Sequence, residues 1–170
     1  YDFYIYDYAG VDPDNGDALY NMYEPNEDGD QVPILNEDGT HKTTNEYQDA
    51  DKVYVNESSI PDLIGSFTNR FSYKEFAFDF TFVYGIGGKI LDYGYANMMH
   101  EGSYGASLHP DALNAWKQPG DITNVPRMQN GDPTLSPNLT SRWLTDSDFL
   151  ALRNVNLAYN LNSDVAEKIG

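Results

Sequence analysis

The sequence has 170 residues, with 27 Asp and Glu against 10 Lys and Arg, and a formal net charge of −17. This excess of acids argues against nucleic-acid binding, because phosphate recognition requires clustered Lys and Arg. The chain has no Cys, which excludes disulfides and Cys-ligated zinc, and its aromatic content of 14% is too high for a disordered acidic tail. No apolar run approaches the roughly 20 residues of a membrane-spanning helix. The chain opens on Tyr1 inside a strand-like pattern, so we expect it to be a piece of a longer protein.

The acidity is concentrated in residues 1–61, which hold 15 acidic and 2 basic residues. Within this region the sequence Asn-Glu-Asp-Gly occurs twice, at 26–29 and 36–39, on either side of residues 31–35. Asp-Gly steps supply the positive-φ positions that hairpin turns require. Residues 1–61 are therefore predicted to form acidic loops with a small hairpin.

The clearest strand pattern lies in residues 62–86. Residues 76–86 carry an aromatic residue or Ile at every even position, which is the period of a strand with one apolar face. Only Lys74 and Glu75 separate this run from residues 62–73. A two-residue turn fixes the register, so that paired positions have numbers that sum to 149.

This register has consequences for both faces of the predicted hairpin. It brings aromatic residues opposite one another on one face. On the other face it brings Arg70 opposite Asp79 and Thr68 opposite Thr81. Cross-strand pairs of these kinds contribute about 0.2–1 kcal/mol each. We predict that Arg70 and Asp79 form a structural cross-strand pair, and the alternative is a functional pair that faces a lumen.

Two settings fit a hairpin of this kind. In a soluble sandwich the aromatic face packs on a second sheet, whereas in an outer-membrane barrel it faces lipid and the polar face lines the lumen. The 11 residues of 76–86 span roughly 36 Å, or roughly 27 Å when tilted by about 40°, close to the apolar band of a barrel wall. Strands of soluble domains are usually shorter, at about 5–6 residues.

The remaining segments follow the same division into strands and loops. Residues 87–148 have little regular pattern, and loops of this length are uncommon in compact soluble domains. Residues 149–161 form another long strand, in which odd positions from 155 onward are apolar and even positions are mostly Asn. In residues 162–170 we predict a turn with a short helix over 165–169. Tight turns at one end and long loops at the other are typical of outer-membrane barrels.

Several segments resemble, in the same order, the SusC/RagA-type TonB-dependent outer-membrane transporters. The fullest match is residues 59–76, with the Pro-Asp-Leu, Gly, Phe, Asn, Phe and Tyr-Lys positions of a hairpin motif of that family. The other matching segments are 8–13, 84–89, 115–121 and 149–159. Together they run through almost the whole chain.

The resemblance implies an all-β fold of antiparallel strands in a large transmembrane β-barrel. Barrels of this type have about 22 strands and a plugged lumen, so three to five strands form only a fragment that does not close by itself. It implies a transmembrane hairpin at 62–86, a long extracellular loop at 87–148, a transmembrane strand at 149–161 and a periplasmic turn at 162–170. Residues 1–170 would then belong to one barrel domain.

The resemblance also implies a function and partners. The expected protein lies in the cell outer membrane of a Gram-negative bacterium and imports glycans or oligosaccharides, or peptides, with energy supplied through TonB. Its expected partners are the remainder of the same barrel, outer-membrane lipid and a SusD-like surface lipoprotein that closes the extracellular mouth. TonB would contact the missing N-terminal part, which also holds the plug.

Four aromatic residues in the long loop are candidates for contact with the lid or the ligand: Tyr93, Tyr95, Tyr104 and Trp116. Flat aromatic faces suit sugar surfaces and protein interfaces. The favoured alternative is that they pack the loop onto itself or form the aromatic girdle at the membrane interface. Residues 109–117 are predicted to form a short capped helix within this loop.

The acidic turns raise a calcium hypothesis, because carboxylates are hard oxygen ligands. The candidate groups are Asp12, Asp14 and Asp17, or Glu27, Asp28 and Asp30. Neither matches an EF-hand, so solvated turns without a metal or cofactor are the favoured interpretation. The three His residues, His41, His100 and His109, show no ligand spacing.

The sequence does not favour an enzyme. It has no phosphate-binding Gly-rich loop, no nucleophile elbow and no zinc motif, and no two of its many acids stand out as an acid–base pair. The alternative to the importer is a soluble secreted β-sandwich that binds carbohydrate through its aromatic residues.

Overall fold

The computed structural model describes residues 1–129, 131, 139–161 and 167. The chain divides into two compact units. Unit 1 comprises Tyr1–Ser59 and Ile90–Thr145, and unit 2 comprises Ile60–Lys89 and Asp146–Gly170.

The described residues are mainly strands. In chain order these are β1 Asp2–Tyr6, β2 Tyr8–Val11, β3 Ala18–Asn21, β4 Tyr23–Pro25, β5 Gln31–Pro33, β6 Thr43–Thr44, β7 Lys52–Ser58, β8 Leu63–Tyr73, β9 Phe76–Ile86, β10 Lys89–Leu91, β11 Leu144–Asp146 and β12 Phe149–Tyr159. One α-helix, α1, is described at Tyr93–Met98, and the described 3₁₀ helices are Tyr47–Asp49, Pro110–Asn114 and Ser141–Trp143.

Unit 2 is built on a three-stranded antiparallel sheet with β9 between β12 and β8. The β8–β9 register runs without a shift from Leu63 opposite Ile86 to Tyr73 opposite Phe76. Every one of these pairs sums to 149, so the predicted register is confirmed. The strand prediction for residues 149–161 is also confirmed, because β12 extends from Phe149 to Tyr159 and pairs with the other edge of β9.

A β-bulge interrupts β12 in a way that we did not predict. The register of β12 with β9 shifts between Leu152 and Asn154, which leaves Arg153 as an extra residue. Leu150 and Leu152 are even-numbered, whereas the apolar residues from Val155 onward are odd-numbered. Because an extra residue reverses the alternation of a strand, the bulge brings both groups to the same face of the sheet.

The turn between β8 and β9 contains a strained residue. Lys74 has a φ of 52°, in the left-handed region that favours Gly. Since this conformation costs a non-Gly residue about 1 kcal/mol or more, we expect Lys74→Gly to raise the free energy of unfolding of the full-length protein by up to about 1 kcal/mol. Thermal unfolding in detergent measures this change. Glu75→Gly is the control, because Glu75 is not at positive φ, and a loss of stability in Lys74→Gly as large as in Glu75→Gly would contradict the prediction.

Unit 1 consists of short strand pairs. β1 pairs with β7, β4 pairs with β5, and β3 lies between β2 and β6. The short strands β10 and β11 also pair with each other. With strands of two to seven residues, the unit depends on side-chain clusters more than on one extended sheet.

Two buried clusters hold unit 1 together. The first contains Ala18, Tyr20 and Ala50, with Tyr6, Tyr8 and Tyr47 packed against it. The second contains Ala96, Met99 and Trp143, with Leu91, Tyr95, Ala112 and Val125 packed against it. Edge-to-face contacts join the tyrosines of the first cluster, which is a favourable geometry for aromatic rings.

The acidic N-terminal segment and the long loop fold together in unit 1. The backbone N–H of Tyr8 donates to Ser141 Oγ at 2.9 Å, and the indole N–H of Trp116 donates to the carbonyl of Pro13 at 3.0 Å. Each of these bonds joins residues more than 100 positions apart. The described parts of residues 1–59 and 90–145 are therefore one packed structure rather than two independent loops.

Two local predictions can be compared with the structure of unit 1. The small hairpin is confirmed, since β4 and β5 pair across the turn at 26–29. The helix predicted over 109–117 is confirmed in part, as a 3₁₀ helix over Pro110–Asn114 whose N-terminus is capped by His109 Nδ1, which accepts from the N–H of Asp111. It ends earlier than expected because Ala115, with φ −55° and ψ 146°, is outside the helical region.

The predicted turn and helix of residues 162–170 lie outside the described residues, apart from Glu167. Across the described ranges, every helix is too short or too polar to cross a bilayer.

Candidate functional site

One face of the unit 2 sheet is apolar and exposed. Across the three strands, Phe71, Phe78 and Leu157 form a directly paired row, and they are 57%, 37% and 69% exposed. The Phe71 and Phe78 rings are stacked with centroids 6.5 Å apart. A contiguous exposed apolar face of this kind indicates contact with lipid or another apolar partner.

The opposite face is polar and is organised around Asp79. Asp79 is only 9% exposed, and its carboxylate accepts hydrogen bonds from the side-chain amides of Asn154 and Asn156, both at 3.2 Å. Arg70 Nη2 lies 3.8 Å from Asp79 Oδ1, but the Arg70 side chain is 77% exposed. Because a buried carboxylate needs hydrogen-bond donors, the two asparagines are its principal partners and Arg70 is a weaker one.

The sequence predicted only part of this polar face. The pairs Arg70–Asp79 and Thr68–Thr81 are both present, the latter with its hydroxyl oxygens 2.8 Å apart. The contacts of Asn154 and Asn156 with Asp79 were missed. The asparagines at even positions of β12 indicate these contacts, because they lie beside Asp79 when β12 pairs with β9. Whether Arg70 and Asp79 also have a functional role in a lumen stays a prediction.

Two of the four aromatic candidates pack inside unit 1. The Tyr95 ring lies against Trp143, with centroids 5.8 Å apart, and its hydroxyl donates to Asp111 Oδ2 at 2.8 Å. Trp116 donates to Pro13, and its ring contacts Gly16, where the φ of 80° and the absence of Cβ allow the close approach. These contacts match the packing alternative for Tyr95 and Trp116.

The other two candidates present their rings to the surroundings. Tyr104 is fully exposed and Tyr93 is 50% exposed. Their rings are therefore free to meet another surface, and contact with a lid or a ligand stays a prediction for all four aromatic residues.

Two carboxylates of the acidic turns, those of Asp12 and Asp17, have partners within the protein. Asp12 Oδ1 accepts from the backbone N–H of Asp14 at 2.8 Å. Asp17 Oδ1 lies 2.9 Å from Arg127 Nε, and Asp17 Oδ2 accepts from Asn45 Nδ2 at 2.9 Å. No three His, Asp or Glu side chains of the described residues converge on one point where a metal ion could bind. Solvated turns without a metal stay the prediction, and calcium binding stays its untested alternative.

A cation is sandwiched between aromatic rings in unit 1. The guanidinium carbon of Arg142 lies 4.4 Å from the Trp143 ring centroid and 5.4 Å from that of Tyr8. Burial lowers the pKa of Arg142, and the neighbouring tyrosines oppose this shift. Burial raises the pKa of Tyr8 to about 12, although the charge of Arg142 lowers it. Arg142 thus links the two buried clusters by cation–π contacts.

A second polar centre in unit 1 surrounds Asp7. Its carboxylate accepts hydrogen bonds from Asn21 Nδ2 at 2.7 Å, from the Tyr23 hydroxyl at 2.7 Å and from Ser141 Oγ at 3.1 Å. Burial is the main cause that raises the pKa of Tyr23, and the hydrogen bond to Asp7 and its charge raise it further. Sequence reasoning missed this centre, because its members are distant along the chain.

The raised tyrosine pKa values predict alkaline loss of stability in unit 1. Folding favours the neutral phenols of Tyr8 and Tyr23, so their contribution is complete below the unfolded pKa of 10.0 and is lost as pH rises through the folded pKa. We expect hydrogen-exchange protection of unit 1 in the full-length protein to fall progressively above about pH 10. Tyr23→Phe should weaken that fall, whereas the control Tyr1→Phe, at a ring that is 93% exposed, should leave it unchanged. A flat protection profile up to about pH 12 would contradict the prediction.

Comparisons with known proteins give relatives in one group. No family model matches the chain. TonB-dependent receptor P39 of Formosa agariphila is 34% identical over 115 residues, which is 66% of this chain and 11% of the receptor. TonB-dependent receptor P3 of the same organism is 29% identical over 173 aligned positions, covering 99% of this chain and 16% of the receptor. The chain therefore spans between a tenth and a sixth of the length of the curated relatives it matches.

The fold has a solved counterpart. The structure of the RagAB peptide importer in the closed-closed state matches with a TM-score of 0.79 and 25% identity, over 96% of this chain and 17% of that chain. The matched proteins are named as receptors and an importer, and none is named as an enzyme. Since the sequence relatives are TonB-dependent receptors and the fold matches an importer barrel over nearly all of its residues, the chain belongs to the SusC/RagA-type TonB-dependent transporters, as a fragment of their β-barrel.

Proposed function

We propose that the chain is a segment of an outer-membrane nutrient importer, in which β8, β9 and β12 form part of the barrel wall. The apolar face of their sheet contacts lipid, and the polar face around Asp79 lines the lumen. The remainder of the same barrel supplies the neighbours of β8 and β12, because an unpaired strand edge in lipid would leave backbone groups without hydrogen bonds.

The observation that supports this proposal is that two adjacent rows of side chains across the sheet, one on each face, are opposite in character. Arg70, Asp79 and Asn156 lie side by side across the three strands on the polar face. The adjacent row on the other face is Phe71, Phe78 and Leu157, all exposed. A soluble sandwich would cover these rings with a second sheet, so the exposed row gives the sandwich alternative no support.

Membership of this family supports a proposal about the cargo and the partners. We propose that the importer takes up oligosaccharides or peptides with energy supplied through TonB, and that a SusD-like lipoprotein closes its mouth. The name of the RagAB importer supports a peptide cargo. The exposed Tyr93 and Tyr104 of unit 1 are the residues we assign to contact with the lid.

Uptake by cells tests the proposal. Cells that carry the full-length transporter are supplied with a labelled peptide pool or a labelled oligosaccharide pool. Uptake of one pool should depend on the transporter, on TonB and on the lid lipoprotein. The protein should also partition with the outer-membrane fraction and require detergent for extraction. Unchanged uptake without TonB, or recovery of the full-length protein as a detergent-free soluble monomer, would exclude this function.

A further inference from the structure

Unit 1 contains a groove that none of the roles above uses. It has a volume of about 810 Å³ and lies between the β1–β7 pair and the β4–β5 hairpin. Its lining includes Tyr4, Asp7, Tyr23, Asp30, His41 and Tyr54. The volume lies in the range of small-ligand sites, and the lining combines tyrosine rings with a larger polar and acidic surface, which suits a charged or polar ligand.

The aromatic part of the groove is accessible. Tyr4 and Tyr54 are directly paired across β1 and β7, with ring centroids 5.1 Å apart. They are 53% and 65% exposed although they line a concavity. On another side of the groove, the rings of Tyr23 and His41 contact each other edge to face, with centroids 5.5 Å apart. The faces of tyrosine rings carry partial negative charge and attract cations.

The polar part of the groove is negatively charged. Asp7 already accepts three hydrogen bonds, from Asn21, Tyr23 and Ser141. The carboxylate of Asp30 makes none of the side-chain hydrogen bonds or ion pairs found among the described residues, and Asp30 is exposed. No Lys or Arg is among the described residues that line the groove. An anionic ligand would therefore be repelled, and Asp30 has its acceptor capacity open to an incoming donor.

A strained residue also lies in this groove. Asn56 has a φ of 56°, in the left-handed region, and lies where the pairing of β1 with β7 is irregular. A left-handed conformation is unfavourable for a residue other than Gly, and such strain is concentrated at binding sites. Because Asn56 lines the groove, the irregular strand delivers an amide group to it.

We propose that this groove binds a cationic side chain, arginine or lysine, of a peptide cargo. The cation would form an ion pair with Asp30 and lie against the faces of Tyr4 and Tyr54, within the field of Asp7. A neutral sugar could use the rings and the amides but would gain nothing from the net charge. Acidic residues dominate residues 1–61, with 15 acids to 2 bases, and this excess attracts cations to the region. The inference rests on the proposed importer function and specifies the cargo group that this segment recognises.

Equilibrium binding to the full-length transporter in detergent tests the proposal. The probes are two fluorescent peptides that differ only in one residue, arginine or its neutral isostere citrulline. The wild type should bind the arginine peptide about tenfold more tightly, and added salt should reduce this preference. Asp30→Asn should remove most of the preference for the arginine peptide, and Tyr54→Leu should weaken the binding of that peptide. The matched control is Asp28→Asn, which makes the same charge change in the same hairpin at a residue outside the groove lining.

Several results would overturn the assignment. They are equal binding of the two peptides, an equal loss of preference in Asp28→Asn and Asp30→Asn, or displacement of the peptide by a neutral glucose oligosaccharide whose affinity is unchanged in Asp30→Asn. Failure of the wild type to bind the arginine peptide would also overturn it. The binding measurement involves neither TonB nor transport. Its outcome is therefore independent of the uptake experiment, and only the uptake experiment tests the importer function itself.

Discussion

Replacing Phe80 with arginine is expected to impair assembly of the barrel severely. Phe80 lies at the middle of β9 on the apolar face, and its ring lies 5.6–6.4 Å from those of Phe67, Phe71, Phe78 and Phe82. An arginine on the lipid face near the bilayer midplane costs about 2–4 kcal/mol. The folded fraction of the full-length protein, measured by gel mobility before and after heating and by its level in the outer membrane, should fall sharply.

Thr68→Arg is the matched control for that change. Thr68 is in the adjacent strand on the opposite face, is exposed, and interacts with Thr81 through one hydroxyl contact. On a lumen-facing surface the new arginine stays hydrated, so the folded fraction should be close to that of the wild type. Equal damage from Phe80→Arg and Thr68→Arg, or equal tolerance of both, would contradict the assignment of the two faces.

Trp143→Ala is expected to give the largest loss of stability in unit 1. Trp143 is 4% exposed and belongs to the cluster with Ala96 and Met99. Truncation of a buried tryptophan costs about 3–5 kcal/mol through lost burial and the cavity that remains. Arg142 also loses the ring that lies 4.4 Å from its guanidinium. Hydrogen exchange of the full-length protein should show loss of protection in α1 and in the 3₁₀ helix Ser141–Trp143.

The control for this change is Tyr104→Ala. Tyr104 lies in the same unit and is fully exposed, so its removal should change the free energy of unfolding by no more than about 0.5 kcal/mol. If protection in α1 were equally reduced in both variants, the buried cluster around Trp143 would not be what stabilises this part of unit 1.

The β8–β9 hairpin of the unit 2 sheet was predictable because the residues that set its register are close together in the sequence. Eleven residues with an aromatic residue or Ile at every even position, and a turn reduced to Lys74 and Glu75, leave one register in which the rings share a face. Asn69, opposite Phe80, interrupts the apolar face but does not move the register. The bulge at Arg153 was not predicted, although the change of apolar residues from even to odd positions between Leu152 and Val155 is its trace in the sequence.

Unit 1 could not be predicted in the same way. Its defining contacts join residues such as Tyr8 and Ser141, which are 133 positions apart. Strands of two to four residues are too short for a period to emerge. The tyrosines that form its first cluster are scattered among acids and turn residues, so composition suggested exposed loops where the structure has a buried core.

The candidate site was predicted unevenly for the same reason. Asp79 and Arg70 were found because they are paired across a local turn. The packing of Tyr95 against Trp143 and of Trp116 against Gly16 depends on distant partners, and aromatic content alone did not separate these rings from the exposed Tyr93 and Tyr104. The groove around Tyr4 and Tyr54 needs two strands that are about 50 positions apart in the sequence.

The extra residue at Arg153 has a consequence for how this wall tolerates changes in length. Removing Arg153 would turn Leu150 and Leu152 toward the polar face of the sheet, or else turn Val155 and the apolar residues after it toward that face. A deletion on one side of Arg153 combined with an insertion on the other should leave both ends of the strand in their present surroundings. Even-numbered positions of β12 therefore lie on the apolar face before Arg153 and on the polar face after it. A substitution that is harmless at an even-numbered position on one side of Arg153 would be harmful at an even-numbered position on the other side.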